Sequence, residues 1–96
     1  MKKDKKDIIE YNLQVSLIKE GKIFVVYSPA LDLSTSADNL ELAQKRFKEA
    51  ASLFFEEIFK NGTFPEILSG LGWSKRKQNN WLPPLVVGQS QIPVSV

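Results

Sequence analysis

The sequence predicts an α+β fold, in which a three-stranded antiparallel meander packs on one long helix and is followed by a short helix and one or more C-terminal strands. Three observations predict it. Apolar and polar residues alternate over 11–17, residues 23–27 are continuously apolar, and apolar residues recur with helical spacing from Leu40 to Ile58. A chain of 96 residues is long enough for one domain with a thin core.

The three strands are predicted to follow one another directly. Residues 11–17 have the period-2 pattern of a half-buried strand, and Gly21 supplies the positive φ of a tight hairpin turn. Residues 23–27 are β-branched and aromatic, which predicts a central strand covered on both faces. A short turn containing Asp32 then leads to a third strand over residues 33–37.

A long helix is predicted next, with its apolar residues in one stripe that suits docking on a sheet. Asp38 or Ser36 is expected to cap its start, since a short side-chain oxygen accepts hydrogen bonds from first-turn amides, and Gly62 is expected to end it. Leu53 and Phe59 fall outside the stripe, so they are expected to contact the C-terminal segment or another subunit. The stripe consists of Leu40, Ala43, Phe47, Ala50, Ala51, Phe54 and Ile58.

The chain after the long helix is less regular. A second helix is predicted over residues 65–71, with Thr63 as its cap and Gly72 as its end. Residues 74–80 are polar and are predicted to form an exposed loop. Two short segments of strand composition follow, residues 85–87 and 92–96.

This pattern divides the chain into three parts. Residues 1–10 are expected to be a flexible basic N-terminus, and residues 11–73 to form the α+β domain. Residues 74–96, a loop and an extended segment, are expected to complete the same domain. The thin core and the unpaired edge strands also predict a homodimer or a higher homo-oligomer.

Composition excludes most of the common enzyme chemistries. Without Cys there are no disulfides and no thiolate metal sites, and without His there is no Ser-His or Cys-His catalysis. A net charge of +2 is far below that of a dedicated nucleic-acid binder. No apolar run suits a signal peptide or a membrane span, so a cytoplasmic protein without membrane contact is expected. No cofactor is expected either.

Carboxylates are the remaining candidates for catalysis. Asp32 and Asp38 flank the third predicted strand and could hold a divalent metal such as Mg²⁺ if that strand folds back. A structural role is the favoured interpretation, because Asp32 lies where turns select Asp and Asp38 lies where a helix needs a cap.

A basic and aromatic segment gives an alternative function. Four lysines near the start are diluted by Asp4 and Asp7, but a second basic run is bracketed by two tryptophans, which is a pattern of nucleic-acid binding through charge and base stacking. Both tryptophans are equally explained as core residues of a small domain. The alternative is therefore a nucleic-acid-associated protein whose contacts are Trp73, Lys75, Arg76, Lys77 and Trp81.

Residues 24–35, with the sequence FVVYSPALDLST, and residues 38–43, DNLELA, resemble the HicB-like antitoxins. Members of this family share a tyrosine- and valine-rich strand, a Pro-x-Leu turn, a short strand and an acidic start to an Ala-rich helix. The resemblance covers about residues 11–73, with a weaker similarity at residues 92–96. Two features of the family pattern are absent, the Gly-Cys after the Pro-x-Leu turn and the Gly before the acidic cap, where Ala37 stands.

The resemblance implies a partial ribonuclease-H-like fold without a working active site. It also implies a non-catalytic antitoxin of a type II toxin–antitoxin pair, which binds and occludes a small HicA-type mRNA-cleaving toxin. Asp32, Asp38 and Glu41, clustered at one end of the sheet, are the expected contacts to this basic partner. A DNA-binding module is not expected, because only 23 residues follow Trp73. The ribonuclease-H likeness leaves a metal-dependent nuclease as a third hypothesis.

Overall fold

The computed structural model of the chain describes residues 12–77 and 80–96. It has the predicted α+β fold, with three antiparallel strands, a long helix, a short helix and a C-terminal two-stranded sheet. Among these residues no helix has the length and apolar character that crossing a membrane requires. The elements are β1 (Ser16–Glu20), β2 (Ile23–Ser28), β3 (Leu33–Ala37), α1 (Leu40–Lys60), α2 (Phe64–Gly70), β4 (Ser74–Arg76) and β5 (Asn80–Leu82).

The main sheet has the order β1-β2-β3, so β2 is central as predicted. Gly21 adopts φ 61° in the turn between β1 and β2, which confirms its role in the hairpin. The first strand begins later than predicted, at Ser16 instead of residue 11. Because β2 ends at Ser28, ahead of a proline that cannot donate to the ladder, residues 12–15 pair with no strand of the described part of the chain. Residue 11 lies outside the described residues.

Helix α1 is capped by Asn39, and the prediction of Asp38 or Ser36 as the cap is wrong. The Asn39 Oδ1 accepts a hydrogen bond from the backbone N–H of Leu42 at 2.8 Å, and Asn39 has the extended backbone of an N-cap. Ser36 is still part of β3, and Asp38 lies one position too early. Two residues, Asp38 and Asn39, therefore separate the end of β3 from the start of α1.

The end of α1 confirms the predicted glycine stop. Gly62 has φ 71°, and its N–H donates to the Phe59 carbonyl. The Thr63 N–H donates to the Ile58 carbonyl at 3.0 Å, which completes a Schellman motif. A residue with a Cβ would be strained at this φ, so glycine is what allows the chain to leave the helix here.

The apolar stripe of α1 covers one face of the main sheet. Its buried members are Ala43, Phe47, Ala51 and Ile58, and they pack with Val26 of β2 and Ala37 of β3 in one core. The hydroxyl of Thr35 donates to the Ala43 carbonyl at 2.9 Å and joins β3 to the helix. The prediction that β2 is covered on both faces is wrong, since Ile23 is exposed and Val25 and Tyr27 are only half-buried.

Helix α2 also ends in a Schellman motif, with Gly72 at φ 93° and the Trp73 N–H bonded to the Leu68 carbonyl. Thr63 occupies the predicted N-cap position, but its side chain makes no capping hydrogen bond. Instead of the predicted exposed loop, residues 74–76 and 80–82 pair as β4 and β5. The polar composition of residues 74–80 does not indicate a hairpin. The hairpin is held by two buried tryptophans, Trp73 beside it and Trp81 within it.

Aromatic rings connect α1, α2 and this hairpin. The Phe59 ring lies 4.7 Å from the Phe64 ring between centroids, and Phe64 packs edge-on against Trp81 at 6.5 Å. Phe55 packs edge-on against Trp73 at 6.0 Å. Phe59 therefore packs on α2, and Phe64 continues this contact to Trp81 of the C-terminal hairpin.

The last described segment, residues 83–96, has no regular secondary structure. The predicted strands over residues 85–87 and 92–96 are therefore not formed. Their β-branched composition favours strands, but a strand forms only where a neighbouring edge is paired with it.

The cap of α1 can be tested with two matched substitutions. Asn39→Ala is expected to lower the free energy of unfolding by about 1 kcal/mol, because the Leu42 N–H loses its acceptor. Asp38→Ala is expected to change it by less than about 0.5 kcal/mol. Urea denaturation followed by circular dichroism measures both. The opposite order of effects would show that Asp38 caps the helix in solution.

Candidate interaction surface

Among the described residues, the sheet face turned away from α1 carries aliphatic side chains that the fold leaves exposed. Successive strand residues point to opposite faces, so the burial of Val26 and Ala37 under α1 places Val25, Tyr27 and Ser36 on the other side. Cross-strand register then identifies their neighbours. This outer sheet face consists of Ser16, Ile18, Glu20, Ile23, Val25, Tyr27, Ser34 and Ser36.

The centre of the outer sheet face is aliphatic. Ile18 of β1 lies directly opposite Val25 of β2 in the ladder. Ile23 lies two residues before Val25 in β2, on the same face. Ile18 and Ile23 are each 38% exposed, and Val25 is half-buried. Serines of β3 border this centre on one side. An apolar centre with a polar border is the usual anatomy of a protein interface.

Carboxylates stand at both ends of this centre. Glu20 lies opposite Ile23, beside the β1–β2 turn. At the other end the Tyr27 hydroxyl, which belongs to the outer face, donates to Asp32 Oδ1 at 3.0 Å. Asp32 adopts φ 51°, a left-handed conformation that Asp tolerates better than most residues. The turn thus holds one carboxylate beside the outer sheet face.

The Tyr27–Asp32 contact changes the acidity of the phenol. The hydrogen bond to Asp32 raises the pKa of Tyr27 above 10.0, and burial and the negative charge of the carboxylate act in the same direction. The shift favours the protonated phenol, which is the form that donates the hydrogen bond to Asp32.

The predicted acidic cluster is not formed. Asp32 precedes β3 and Asp38 follows it, so an extended strand separates them by roughly 20 Å. Glu41 lies in the first turn of α1, on the Asp38 side of this separation. The arrangement does not bring Asp32 and Asp38 together as ligands for Mg²⁺. Within residues 12–77 and 80–96, no three acidic, His or Cys side chains are grouped as metal ligands.

The basic and aromatic segment is divided between surface and core. Lys75, Arg76 and Lys77 are exposed, but Trp73 and Trp81 are only 4% and 6% exposed. The Trp73 indole N–H donates to the Ala30 carbonyl at 2.8 Å. Neither indole offers a free face for a base, so the stacking part of the nucleic-acid interpretation is lost.

Leu53 remains on the surface, where it is 64% exposed on α1. It lies with Lys45, Lys48, Glu49 and Ser52 around a shallow depression on the solvent side of that helix. No described contact with the C-terminal segment covers it, in contrast to Phe59 in the aromatic cluster.

Sequence reasoning missed the outer sheet face as a site. Ile18 was not assigned to any strand, because the alternation over residues 11–17 displaced the expected strand toward the N-terminus. One signal could have found it. A two-residue turn at Gly21 pairs residue 20 with residue 23, which places Ile18 opposite Val25.

Comparisons with known proteins give no match to this chain, either among protein-family models, among curated proteins or among solved structures.

The titration of Tyr27 is expected to depend on Asp32. In a Tyr11→Phe background Tyr27 is the only tyrosine, so phenolate absorbance reports its pKa. Asp32→Asn tolerates the same backbone and is expected to lower that pKa, because the hydrogen bond to a carboxylate is lost and its negative charge is removed.

The same pair gives a pH dependence of stability with a defined sign. The folded-state pKa of Tyr27 is raised, so the Tyr27–Asp32 contact contributes to the free energy of unfolding. This contribution is fully present below the unfolded-state pKa of about 10 and is lost as the pH rises through the folded-state pKa. Identical titration curves for the parent and Asp32→Asn would contradict the contact.

Trp73→Phe tests the assignment of this tryptophan to the core. The substitution keeps an aromatic ring but leaves the buried Ala30 carbonyl without its indole donor. It is expected to lower the free energy of unfolding by about 1–3 kcal/mol, measured by urea denaturation. A variant as stable as the parent would mean that the indole is not buried in solution.

Proposed function

We propose that this protein is a non-catalytic, HicB-like antitoxin that binds a small HicA-type mRNA-cleaving toxin through the outer sheet face. The observation that carries this proposal is the uncovered aliphatic centre of a rigid sheet. The order of strands and helices also agrees with what the sequence resemblance implies, from the β-hairpin through the long helix. Binding covers the toxin surface that would otherwise contact RNA.

The charges of the outer sheet face suit such a partner. A ribonuclease that binds the phosphates of mRNA needs a basic surface. Glu20 and Asp32 place carboxylates at the two ends of the aliphatic centre, where they can face basic side chains of the toxin. Complementary charge accelerates encounter and fixes orientation, and burial of the aliphatic centre supplies most of the affinity.

The sheet is also held in one conformation before binding. Beneath the outer face, Val26 is almost completely buried against α1, and Thr35 is hydrogen-bonded to the helix. At the Asp32 end, Ser28 Oγ accepts from the Leu31 N–H at 3.3 Å. A preorganised surface loses little conformational entropy on binding, which favours tight occlusion.

The test is co-purification with a small basic HicA-type toxin, sought in the neighbouring open reading frame, followed by calorimetry. Ile18→Arg is expected to weaken the complex at least about tenfold, or about 1.4 kcal/mol, because it puts a positive charge in the aliphatic centre. Leu53→Arg is the matched control, since it makes the same change at an exposed position on α1. It is expected to leave the affinity unchanged.

Two results would contradict the proposal. If the parent protein forms no complex and does not relieve the growth arrest caused by the neighbouring protein, the antitoxin function is wrong. If a complex forms and both arginine variants bind equally well, the function stands but the outer sheet face is not its interface.

A further inference from the structure

The C-terminal arm, residues 83–96, is an apolar segment that the domain does not bury. Val87, Ile92 and Val94 are 96%, 76% and 79% exposed, and the segment contains no charged side chain. The Val86 N–H donates to the Gln14 side chain at 2.8 Å, which holds the start of the arm beside the residues that precede β1. Beyond that point the arm has no regular secondary structure, although its composition is that of a strand.

The two edges of the main sheet differ. At the β3 edge, the guanidinium of Arg46 donates to the Ser36 carbonyl at 2.8 Å, and a charged side chain on an edge opposes the addition of another strand. At the β1 edge, the described part of the chain supplies no pairing strand. Leu17 of β1, on the face that α1 covers, is still 51% exposed. The sheet thus lacks cover beyond β1.

The end of the arm has the pattern of an edge strand. Ile92, Val94 and Val96 alternate with Pro93 and Ser95. Backbone groups of successive strand residues point to opposite edges, so Pro93 can face solvent while the N–H groups of Ile92 and Val94 face a neighbour. With Val94 opposite Leu17, the three aliphatic side chains extend the apolar layer beneath α1.

We propose that residues 92–96 of one copy add to the β1 edge of a second copy, and that the exchange is reciprocal. Among the described residues the arm stays exposed although the open edge of β1 has no pairing strand, which favours a surface on another molecule as its cover. The absence of charge in the arm argues against a charged partner. A second copy carries both the arm and the receiving edge, and a two-fold axis satisfies both pairs at once.

The oligomeric state tests this proposal directly. Light scattering of the full chain is expected to give twice the 10.9 kDa of one chain, and Ile92→Asp with Val94→Asp is expected to give the monomer. Ser95→Asp is the matched control, because its side chain points away from the aliphatic side of the added strand. It is expected to remain dimeric. Circular dichroism shows that each variant keeps its fold, since these residues are exposed in the single chain.

Cross-linking then identifies which chain receives the arm. The protein has no Cys, so Leu17→Cys in an affinity-tagged chain and Val94→Cys in an untagged chain, refolded together, give one possible heterologous disulfide. Directly opposite residues of paired strands lie within disulfide range. The tagged–untagged dimer is expected to form, and Ser95→Cys in place of Val94→Cys is expected to cross-link much less.

Each alternative outcome overturns the exchange. A monomeric parent protein shows that no second copy is bound. A dimer that survives the double aspartate substitution forms through another surface. If a single chain with both Leu17→Cys and Val94→Cys cross-links only within itself, the arm folds back on its own β1. None of these results depends on toxin binding, which the outer sheet face would still support.

Discussion

The packing of one helix on one side of a three-stranded sheet is the constraint on which the rest of this structure depends. Ala43 and Ala51 bring α1 close to the sheet, and Phe47 and Ile58 fill the space beside them. A single helix can cover only one face, so the aliphatic residues on the other face remain open. In a chain this short, the surface left uncovered is the natural place for a partner.

A contact between residues far apart in sequence fixes the geometry of the outer sheet face at its Asp32 end. Trp73 lies 43 residues after Ala30 in sequence, yet its indole holds the Ala30 carbonyl in the turn before β3. That turn contains Asp32, whose carboxylate binds the Tyr27 hydroxyl on the outer sheet face. The C-terminal hairpin therefore contributes to the presentation of a carboxylate without being part of the surface.

The outer sheet face and the β1 edge, the two surfaces proposed for binding, involve different side chains. Ile18 and Val25 belong to the face, whereas Leu17 points toward the helix side of the same strand. A toxin on the face and an exchanged arm on the edge would not compete for the same side chains. The Arg46–Ser36 contact protects the β3 edge of the sheet against strand addition. The two edges therefore differ, and the β1 edge is the open one.

The sequence by itself determined the order of elements from β1 to α2, because the period-2 and helical patterns, Gly21 and Gly62 act through local sterics and burial. It did not determine that Asn39 caps α1, that Trp73 and Trp81 are buried, or that Asp32 and Asp38 lie at opposite ends of a strand. Those facts depend on register and on contacts between residues far apart in the chain. The candidate site was missed for the same reason: only tertiary structure shows which face of a strand α1 covers and which it leaves open.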